Sequence, residues 1–476
     1  MLALIDLPHD ILIHICTQLE PRDFLNLIQT CRVLHAFAFS DYVWHHIRHD
    51  LPMDMSSSRD GRLRSIPAVE LQAITRRALR LHENWLRPTA HVLSISKLQS
   101  EPHMVVAMQP LGSSWLVTSH RIRNNLINIC VWRLSKDTPS CVIRIESENA
   151  FTFEAAFREE GGHVAVISVL GASQTDKTKG QLTIYQINLK GHETNEHSLG
   201  VPYLMSSQRI ERTAVFYYTQ ISGTIVAAAI VNLVNQPLHQ ILLYNILTNA
   251  TIIMDSPILS AFEASRMLFK LYSPHIVIVG VSAQRIKVHV RELPKRIFSS
   301  WTGKDTCEDW AASIIDYKTI RIRNVEIYIS PEPIYRSPLT SFTVMVAHLP
   351  FSTSHEGVAD IFRFPIDISA RNLAFDDWKP ALAFNMPPNV TLDPTCFGKT
   401  GMRAVWLSHR WNLDDYQLMR GSFSDTVNAK AMIAPLAPPD LALPFEPHTC
   451  RSLYFEEATG KVWVGVHTGD IFVLQF

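Results

Sequence analysis

The sequence predicts a small all-α module at the N-terminus, followed by an all-β domain that closes most simply as a seven-bladed β-propeller. Three observations predict it: short helical patterns before residue 50, one longer helical pattern near residue 75, and recurring alternating strands beyond residue 90. We therefore expect a helical module over 1–50, a linker over 51–90 with a helix at 67–85, and the propeller over 91–476.

Length, composition and charge bound the class of protein. At 476 residues the chain exceeds one ordinary compact domain, so two units are the simplest expectation. A hydrophobic share of 47% and a charged share of 18% are typical of a folded globular protein. Lys plus Arg equals Asp plus Glu, at 44 each, so no overall field attracts nucleic acid or an anionic membrane. We expect neither as a partner.

The cysteines and the apolar runs indicate the compartment. Seven cysteines lie far apart with no CxxC pair, which favours a reducing environment. The apolar start lacks the basic region of a signal peptide, and the run from Thr224 to Val234 falls short of the roughly 20 residues of a membrane span. We expect a soluble protein of the cytoplasm and/or the nucleus.

The first helical pattern is more apolar than a small module requires. It begins near Pro8, and a second helix is predicted from Pro21 and Asp23 and a third from about Arg32 to Phe39. The first helix places its apolar side chains on one stripe: Ile11, Leu12, Ile15, Cys16 and Leu19. A unit of about 45 residues is marginal as a lone core. Some of these side chains should therefore contact another protein, although packing on the later domain is the alternative.

Residues 7–47, LPHDILIHICTQLEPRDFLNLIQTCRVLHAFAFSDYVWHHI, resemble an F-box in register. F-box helices dock on the adaptor subunit of SCF (cullin-RING) ubiquitin ligases, and through it on cullin. The resemblance implies these adaptor-binding residues: Leu7, Pro8, Ile11, Leu12, Ile15, Leu19, Leu25, Leu27, Cys31, Leu34 and Trp44. The chain departs from the usual pattern at Phe24 and in the apolar HAFAF segment.

A long linker helix is predicted from Pro67 to Trp85, after a flexible connection at 53–64. Its arginines are interpreted as a solvated face. The Arg-rich helix ending in HENWLRP is similar to that of fungal F-box proteins. Upstream, His45 and His49 have helical i, i+4 spacing but no third ligand, so we expect no metal site there.

Beyond residue 90 an alternating strand ending recurs, and most copies follow another apolar run and a turn, which predicts hairpins. The endings are ICVWRL (129–134), LTIYQI (182–187), ILLYNI (241–246), IKVHVREL (286–293), DIFRFPI (360–366), YQLMRGS (416–422) and DIFVLQF (470–476). They predict seven blades of a divergent type that lacks the Trp-Asp signature, and HVLSISKL is expected to share a blade with the C-terminal strand. A two-sheet sandwich or two smaller β domains are the alternatives.

No motif predicts chemistry. HETNEH (192–197) fails the spacing of a zinc helix and FGKTG (397–401) lacks the context of a P-loop, so we expect no catalytic residue, cofactor or metal. Trp301 and Trp310, in the longest interval between endings, are weak candidates for target binding. We expect a non-catalytic substrate receptor. The alternative is a propeller enzyme or ligand-binding protein whose helical prefix serves only assembly.

Overall fold

The structure is a computed structural model of the whole chain. The residues it describes are 7–37, 39–47, 67–98, 102–112, 114–134, 139–159, 162–176, 178–190, 202–232, 238–257, 266–282, 285–298, 311–316, 322–331, 334–335, 340–350, 356–366, 380–423 and 430–476.

Short helices form the N-terminal part of the described chain. They are α1 (His9–Thr17), α2 (Pro21–Leu27), α3 (Arg32–Phe37) and α4 (Asp41–Ile47). The prediction of three helices was wrong, because Trp44 belongs to a separate fourth helix. The Ser40 carbonyl accepts the Trp44 N–H at 3.4 Å, and Asp41 places a carboxylate in the first turn, where the helix dipole favours it.

A longer helix, α5 (Ala68–Leu86), follows Pro67. Pro67 has no side chain able to cap the free N–H groups of the first turn, but the Asp41 Oδ1 of α4 accepts the Ala68 N–H at 2.6 Å. The start of α5 is thus fixed by the helical module itself. The linker helix predicted at 67–85 is present, and it begins and ends one residue later, at Ala68 and Leu86.

After α5, the described chain consists mainly of antiparallel β-sheets. Most of these sheets have four strands, so one four-stranded unit is repeated along the chain. Sheet 1 contains β2 (Met104–Leu111), β3 (Trp115–Arg123), β4 (Leu126–Arg133) and β5 (Ser140–Glu148); sheet 2 contains β6 (Ala150–Phe157), β7 (Val164–Ala172), β8 (Gly180–Asn188) and β9 (Tyr203–Arg212); sheet 3 contains β10 (Val215–Ser222), β11 (Ile225–Asn232), β12 (Leu238–Asn245) and β13 (Thr251–Asp255).

Sheet 4 contains β14 (Arg266–Tyr272), β15 (His275–Ser282), β16 (Arg285–Glu292) and β17 (Ala311–Asp316); sheet 5 contains β18 (Ile322–Ile329), β19 (Ile334–Tyr335), β20 (Thr340–Pro350), β21 (Gly357–Pro365) and β22 (Leu382–Met386). Sheet 6 contains β23 (Val390–Phe397), β24 (Arg403–Arg410), β25 (Asp415–Ser422) and β26 (Met432–Pro435); sheet 7 contains β27 (Cys450–Glu456), β28 (Lys461–Val466), β29 (Ile471–Gln475) and β1 (Ser94–Leu98).

The sheets are arranged radially as a seven-bladed propeller. The first strands of neighbouring sheets contact one another, as β2 does with β6 and β27, which places these strands around the centre. Every predicted strand ending is the third strand in the hydrogen-bonded order of its sheet, from β4 in sheet 1 to β29 in sheet 7; in sheet 5 the short β19 pairs with β20 outside this order. The fold class predicted from the sequence is therefore confirmed.

The ring closes between the two ends of the β region. Strand β1 pairs antiparallel with β29, with Ser94 opposite Gln475 and Leu98 opposite Ile471. Because β1 comes directly after α5 and β29 contains the last strand residues of the chain, one sheet joins the linker helix to the C-terminus. The predicted shared blade is confirmed, and pairing of the two ends removes two exposed strand edges.

Candidate protein-interaction surface and its attachment

The N-terminal helices and the start of α5 share one apolar core. Phe24 of α2 contacts Trp44 of α4 edge-on, with ring centroids 5.0 Å apart. The buried members of this core are Leu12, Cys16, Phe24, Leu25, Ile28, Val43, Trp44, Ala68 and Leu71. Since Ala68 and Leu71 belong to α5, the helical module completes its core with the linker helix. Residues 7–47 are called the helical module; its core also includes Ala68 and Leu71 of α5.

The structure divides the predicted adaptor-binding residues by exposure. Pro8 and Ile11 are exposed, and Ile11 exposes 46% of its surface. The half-buried ones are Leu7, Ile15, Leu19, Leu27 and Cys31, and the buried ones are Leu12, Leu25, Leu34 and Trp44. Leu12, Leu25 and Trp44 belong to the module's own core, and Leu34 is buried as well, so direct contact of these four with a partner stays a prediction.

Further large apolar side chains are exposed on the described part of the module, and the sequence prediction did not include them. They are Val33 on α3, Phe39 between α3 and α4, and Tyr42 on α4. Val33 was recognisable in principle, because Leu34 faces the core and the adjacent position on a helix points about 100° away. Phe39 lies in the HAFAF segment that departs from the usual pattern. Together with Ile11 these residues define an exposed apolar set on the module.

The C-terminal half of α5 contacts the propeller, in part through buried charges. Arg403 of β24 forms an ion pair with Glu457, at 3.3 Å between Nη1 and Oε1, and the two side chains are only 2% and 0% exposed. The second guanidinium nitrogen of Arg403 donates to His82 Nδ1 of α5 at 2.8 Å. A guanidinium has only donors, so Nδ1 must be the acceptor and His82 is neutral in this contact.

Burial sets the protonation of this cluster. Burial and, to a smaller extent, the neighbouring Arg403 charge lower the pKa of His82 to about 4, although the Glu83 carboxylate opposes this shift. Burial also raises the pKa of Glu457 and lowers that of Arg403, while each partner's charge opposes the shift of the other. The N–H and hydroxyl of Thr400 donate to the Glu457 carboxylate at 2.9 Å, which compensates for part of its lost hydration.

The two glycines of the FGKTG sequence are required by the shape of a turn. This sequence forms the turn between β23 and β24, and a Cβ on Gly398 would lie 2.6 Å from the Glu457 carboxylate. Gly401 adopts a left-handed φ of +67°, and a Cβ there would meet Thr343 at 2.5 Å. The motif is therefore a structural element that brings the Thr400 donors to Glu457.

Trp85 is the largest anchor of α5 on the propeller. Its ring stacks on Phe455 with centroids 4.7 Å apart and meets Phe476 edge-on at 5.7 Å. The indole N–H donates to the Gly421 carbonyl at 3.1 Å, and Arg420 donates to the carbonyls of Trp85 and Arg87. Because donors satisfy the last carbonyls of α5, the end of the helix is held on sheets 6 and 7.

Polar side chains also cluster around the centre of the propeller. Lys270 Nζ donates to Gln220 Oε1 at 3.0 Å, and Gln220 Nε2 donates to the Tyr218 hydroxyl at 2.9 Å. Gln109 donates to Glu154 at 3.4 Å and accepts the Ala155 N–H at 3.0 Å. These bonds join the inner strands of sheets 1 and 2, and of sheets 3 and 4.

The central charges influence one another. Burial raises the pKa of Glu154, against the opposing effect of Lys270. Burial disfavours the Lys270 ammonium, yet the nearby Tyr218 and Glu154 raise its pKa overall. Side chains also bridge the inner strands elsewhere, as where the Tyr328 hydroxyl donates to the Leu392 carbonyl at 2.5 Å. The central polar groups thus connect neighbouring sheets.

Several residues singled out from the sequence lie outside the described residues. These are Trp301, Trp310 and the segment 192–197, together with His49 and the side chains of His45 and His46. Their roles stay predictions. Within the described part of the chain, no three His, Cys, Asp or Glu side chains cluster closely enough to hold a metal ion.

Comparisons with known proteins bear on the helical module. Residues 4–50 match the model of the F-box-like family. No curated protein matches the chain, so the similarity to fungal F-box proteins stays a prediction. Among the described helices, none combines the length and hydrophobicity of a membrane span. The N-terminus of the chain is therefore an F-box-like domain at residues 4–50, and a seven-bladed all-β propeller follows it.

Proposed function

We propose that the chain is the substrate-recognition subunit of an SCF (cullin-RING) E3 ubiquitin ligase. In this proposal the F-box-like domain binds the adaptor subunit and through it cullin, and the propeller binds a target protein. The observation that carries the proposal is the combination of an F-box-like domain with exposed apolar side chains and a propeller to which α5 fixes it. The role places the chain in the cytoplasm and/or the nucleus.

The exposed apolar set of the module supports an adaptor interface. Ile11 lies on α1 beside the exposed Pro8 and the half-buried Leu7, within the opening of the F-box resemblance. Apolar anchors on short packed helices suit protein interfaces, because their conformational entropy is already lost before binding. We infer that Leu7, Pro8 and Ile11 make direct contact and that the buried Leu12 and Trp44 act by shaping the helices.

The proposed mechanism is proximity. A target bound to the propeller is held near the ubiquitin-conjugating enzyme that the ligase recruits, which raises the effective concentration of the reacting groups. This mechanism requires no catalytic residue of the chain, so the proposed role is non-catalytic. A stiff connection supports it, because an orientation set by α5 limits the volume that the target explores.

Binding of the purified adaptor subunit to the full chain tests the proposal. Ile11→Asp places a charge on the exposed part of α1, and we expect the dissociation constant to rise at least tenfold, because a desolvated carboxylate opposes an apolar interface. Ile11 is preferable to Leu12 as the site, since Leu12 is buried and its replacement would unfold the module.

Leu413→Asp is the matched control. Leu413 is an exposed apolar residue on the propeller, and its change should leave adaptor binding unaltered. Equal adaptor affinity of the wild type and Ile11→Asp, with both proteins folded, would overturn the assigned interface. Adaptor binding without recruitment of cullin would instead indicate an F-box protein that acts outside a ligase.

A further inference from the structure

The loop between β24 and β25 lies on the face of the propeller opposite to α5. The helix contacts the turns that join the first and second strands of sheets 6 and 7, where Leu81 meets Gly460 and His82 meets Arg403. Strand β24 runs from Arg403 to Arg410, so its far end lies roughly 23 Å away at about 3.3 Å per residue. A protein bound at this loop would not collide with the linker helix.

This loop exposes two large apolar side chains. Trp411 is 65% exposed, the highest value for a large apolar side chain in the described residues, and Leu413 is 63% exposed. Both are held by backbone hydrogen bonds: the Trp411 N–H donates to the Asn389 carbonyl at 3.0 Å and the Leu413 N–H to the Arg410 carbonyl at 3.2 Å. The two side chains are therefore presented from a fixed backbone.

A row of rings supports Trp411 from behind. The His409 ring lies 4.2 Å from the Trp411 ring and stacks on Tyr416 at 3.9 Å with an interplanar angle of 8°. Tyr416 in turn contacts His448, which follows on the connection to β27, at 5.9 Å. Trp is enriched among the residues that contribute most to binding energy at interfaces, and prior ordering of its surroundings reduces the entropy lost on binding.

Carboxylates surround this row of rings. Asp414 exposes 86% of its side chain and lies 3.5 Å from His409 Nε2, and Glu446 exposes 77% and lies 3.2 Å from His448 Nδ1. Asp415 is also exposed and pairs across the β24–β25 ladder with the half-buried Arg410, and the exposed Arg451 lies at the start of β27. The three carboxylates outnumber these two arginines. The surface thus combines aromatic faces with an acidic rim, and both attract cations.

We propose that Trp411, Leu413 and this acidic rim form a docking surface for a peptide segment that contains Lys or Arg beside an apolar anchor. The apolar anchor packs on Trp411 and Leu413, and the cation lies against the ring faces and the carboxylates of Asp414, Asp415 and Glu446. The inference rests on the proposed function only where it makes this segment part of a ubiquitination target; peptide binding itself does not depend on the F-box-like domain.

Selection of a displayed library of random 12-residue peptides on the full-length protein tests the proposal. We expect the enriched peptides to combine Lys or Arg with an aliphatic or aromatic residue. Trp411→Ala should raise the dissociation constant of a synthetic enriched peptide at least tenfold. Neutralising Asp414, Asp415 and Glu446 to Asn, Asn and Gln should weaken binding at low salt and remove most of its salt dependence.

Leu247→Ala is the matched control, because Leu247 is equally an exposed apolar residue in a turn, and it should bind the peptide as the wild type does. The proposal is overturned if no peptide is enriched, if the enriched peptides are acidic, or if they bind Trp411→Ala equally well. It is also overturned if Trp411→Ala acts only by abolishing self-association in sedimentation experiments. Adaptor affinity, measured separately with Ile11→Asp, distinguishes a failure of the proposed function from a failure of this surface.

Discussion

The two contacts of α5 differ in kind. Towards the helical module, α5 supplies Ala68 and Leu71 to an apolar core, and Glu83 forms an ion pair with Arg22 at 3.2 Å in which both side chains stay largely in solvent. Towards the propeller, it contributes His82 and Trp85 to buried hydrogen bonds, a buried ion pair and ring stacking. Helix α5 is thus attached to the propeller by buried polar and aromatic contacts, and the helical module packs on its N-terminal part.

Because the two contacts differ, substitutions in them should lower the free energy of unfolding by different amounts. An exposed ion pair such as that of Arg22 contributes about 0–1 kcal/mol, since water and salt screen it. Removing one member of a buried pair leaves an uncompensated charge and costs about 3–5 kcal/mol. Loss of the buried pair at the propeller contact should therefore destabilise the whole chain, whereas loss of the exposed Arg22–Glu83 pair should affect little beyond the placement of the module.

The largest effect is expected for Arg403→Leu. The substitution leaves the Glu457 carboxylate buried without its cation, so the free energy of unfolding should fall by about 3–5 kcal/mol in denaturant titrations. The double variant Arg403→Leu/Glu457→Leu removes both charges and should recover most of the loss. A loss below about 1 kcal/mol in the single variant would show that the pair is not buried as described.

The second largest effect is expected for Trp85→Ala. Its free energy of unfolding should fall by about 3 kcal/mol, because the ring contacts with Phe455 and Phe476 are lost. Trp85→Phe keeps a ring but not the N–H donor to Gly421, and should lose about 1 kcal/mol. Thermal unfolding of the two variants compares these contributions. If the Phe variant lost as much as the Ala variant, the hydrogen bond and not the stacking would fix the helix.

Acid should weaken the propeller contact of α5. The pKa of His82 is about 4 in the folded chain and about 6.5 in an unfolded one, so folding favours the neutral ring. Its contribution to stability is complete above about pH 6.5 and is lost as the pH falls towards about 4. Protonated Nδ1 is no longer able to accept the Arg403 donor.

Thermal unfolding midpoints measured between pH 7.5 and 4.5 test whether stability falls as the pH is lowered. His82→Gln should show a shallower decline than the wild type, while the buried His289, whose pKa burial also lowers to about 4, keeps part of the slope in both proteins. Identical slopes in the two proteins would contradict the assigned role of His82.

The smallest effect concerns the start of α5. Asp41→Ala removes the acceptor for the Ala68 N–H and should destabilise the module contact by about 1 kcal/mol. Hydrogen exchange of the first turn of α5 should increase, with exchange in sheets 6 and 7 unchanged. Faster exchange throughout both sheets would mean that the two contacts of α5 are not separable. Arg22→Gln is the weaker companion, with an expected loss of less than about 0.5 kcal/mol.

Sequence periodicity was sufficient for the parts of the fold that repeat or lie close in sequence. The strand endings and the closing strand alternate visibly, because one face of each strand packs against the next sheet. The apolar stripe of α1 was equally visible. Helix α4 was missed because its start at Asp41 follows an apolar segment that continues the pattern of α3.

The contacts that attach α5 were not predictable in the same way. His82 and Arg403 are 321 residues apart, and neither position is unusual in its local sequence. Likewise, nothing in the sequence around Trp411 indicates that His409 and Tyr416 support it, since that depends on the pairing of β24 with β25. Local patterns predicted the elements, and the side-chain contacts between distant elements required the structure.

The distance between the helical module and the propeller is the most direct test of whether α5 holds the two together. Spin labels attached to unnatural amino acids at Gln18, directly after α1, and Glu146 of β5, both exposed, report it by double electron–electron resonance. If α5 holds the module on the propeller, the distribution is a single narrow peak that broadens in Trp85→Ala. A broad distribution already present in the wild type would show that α5 does not hold the module in a fixed position on the propeller.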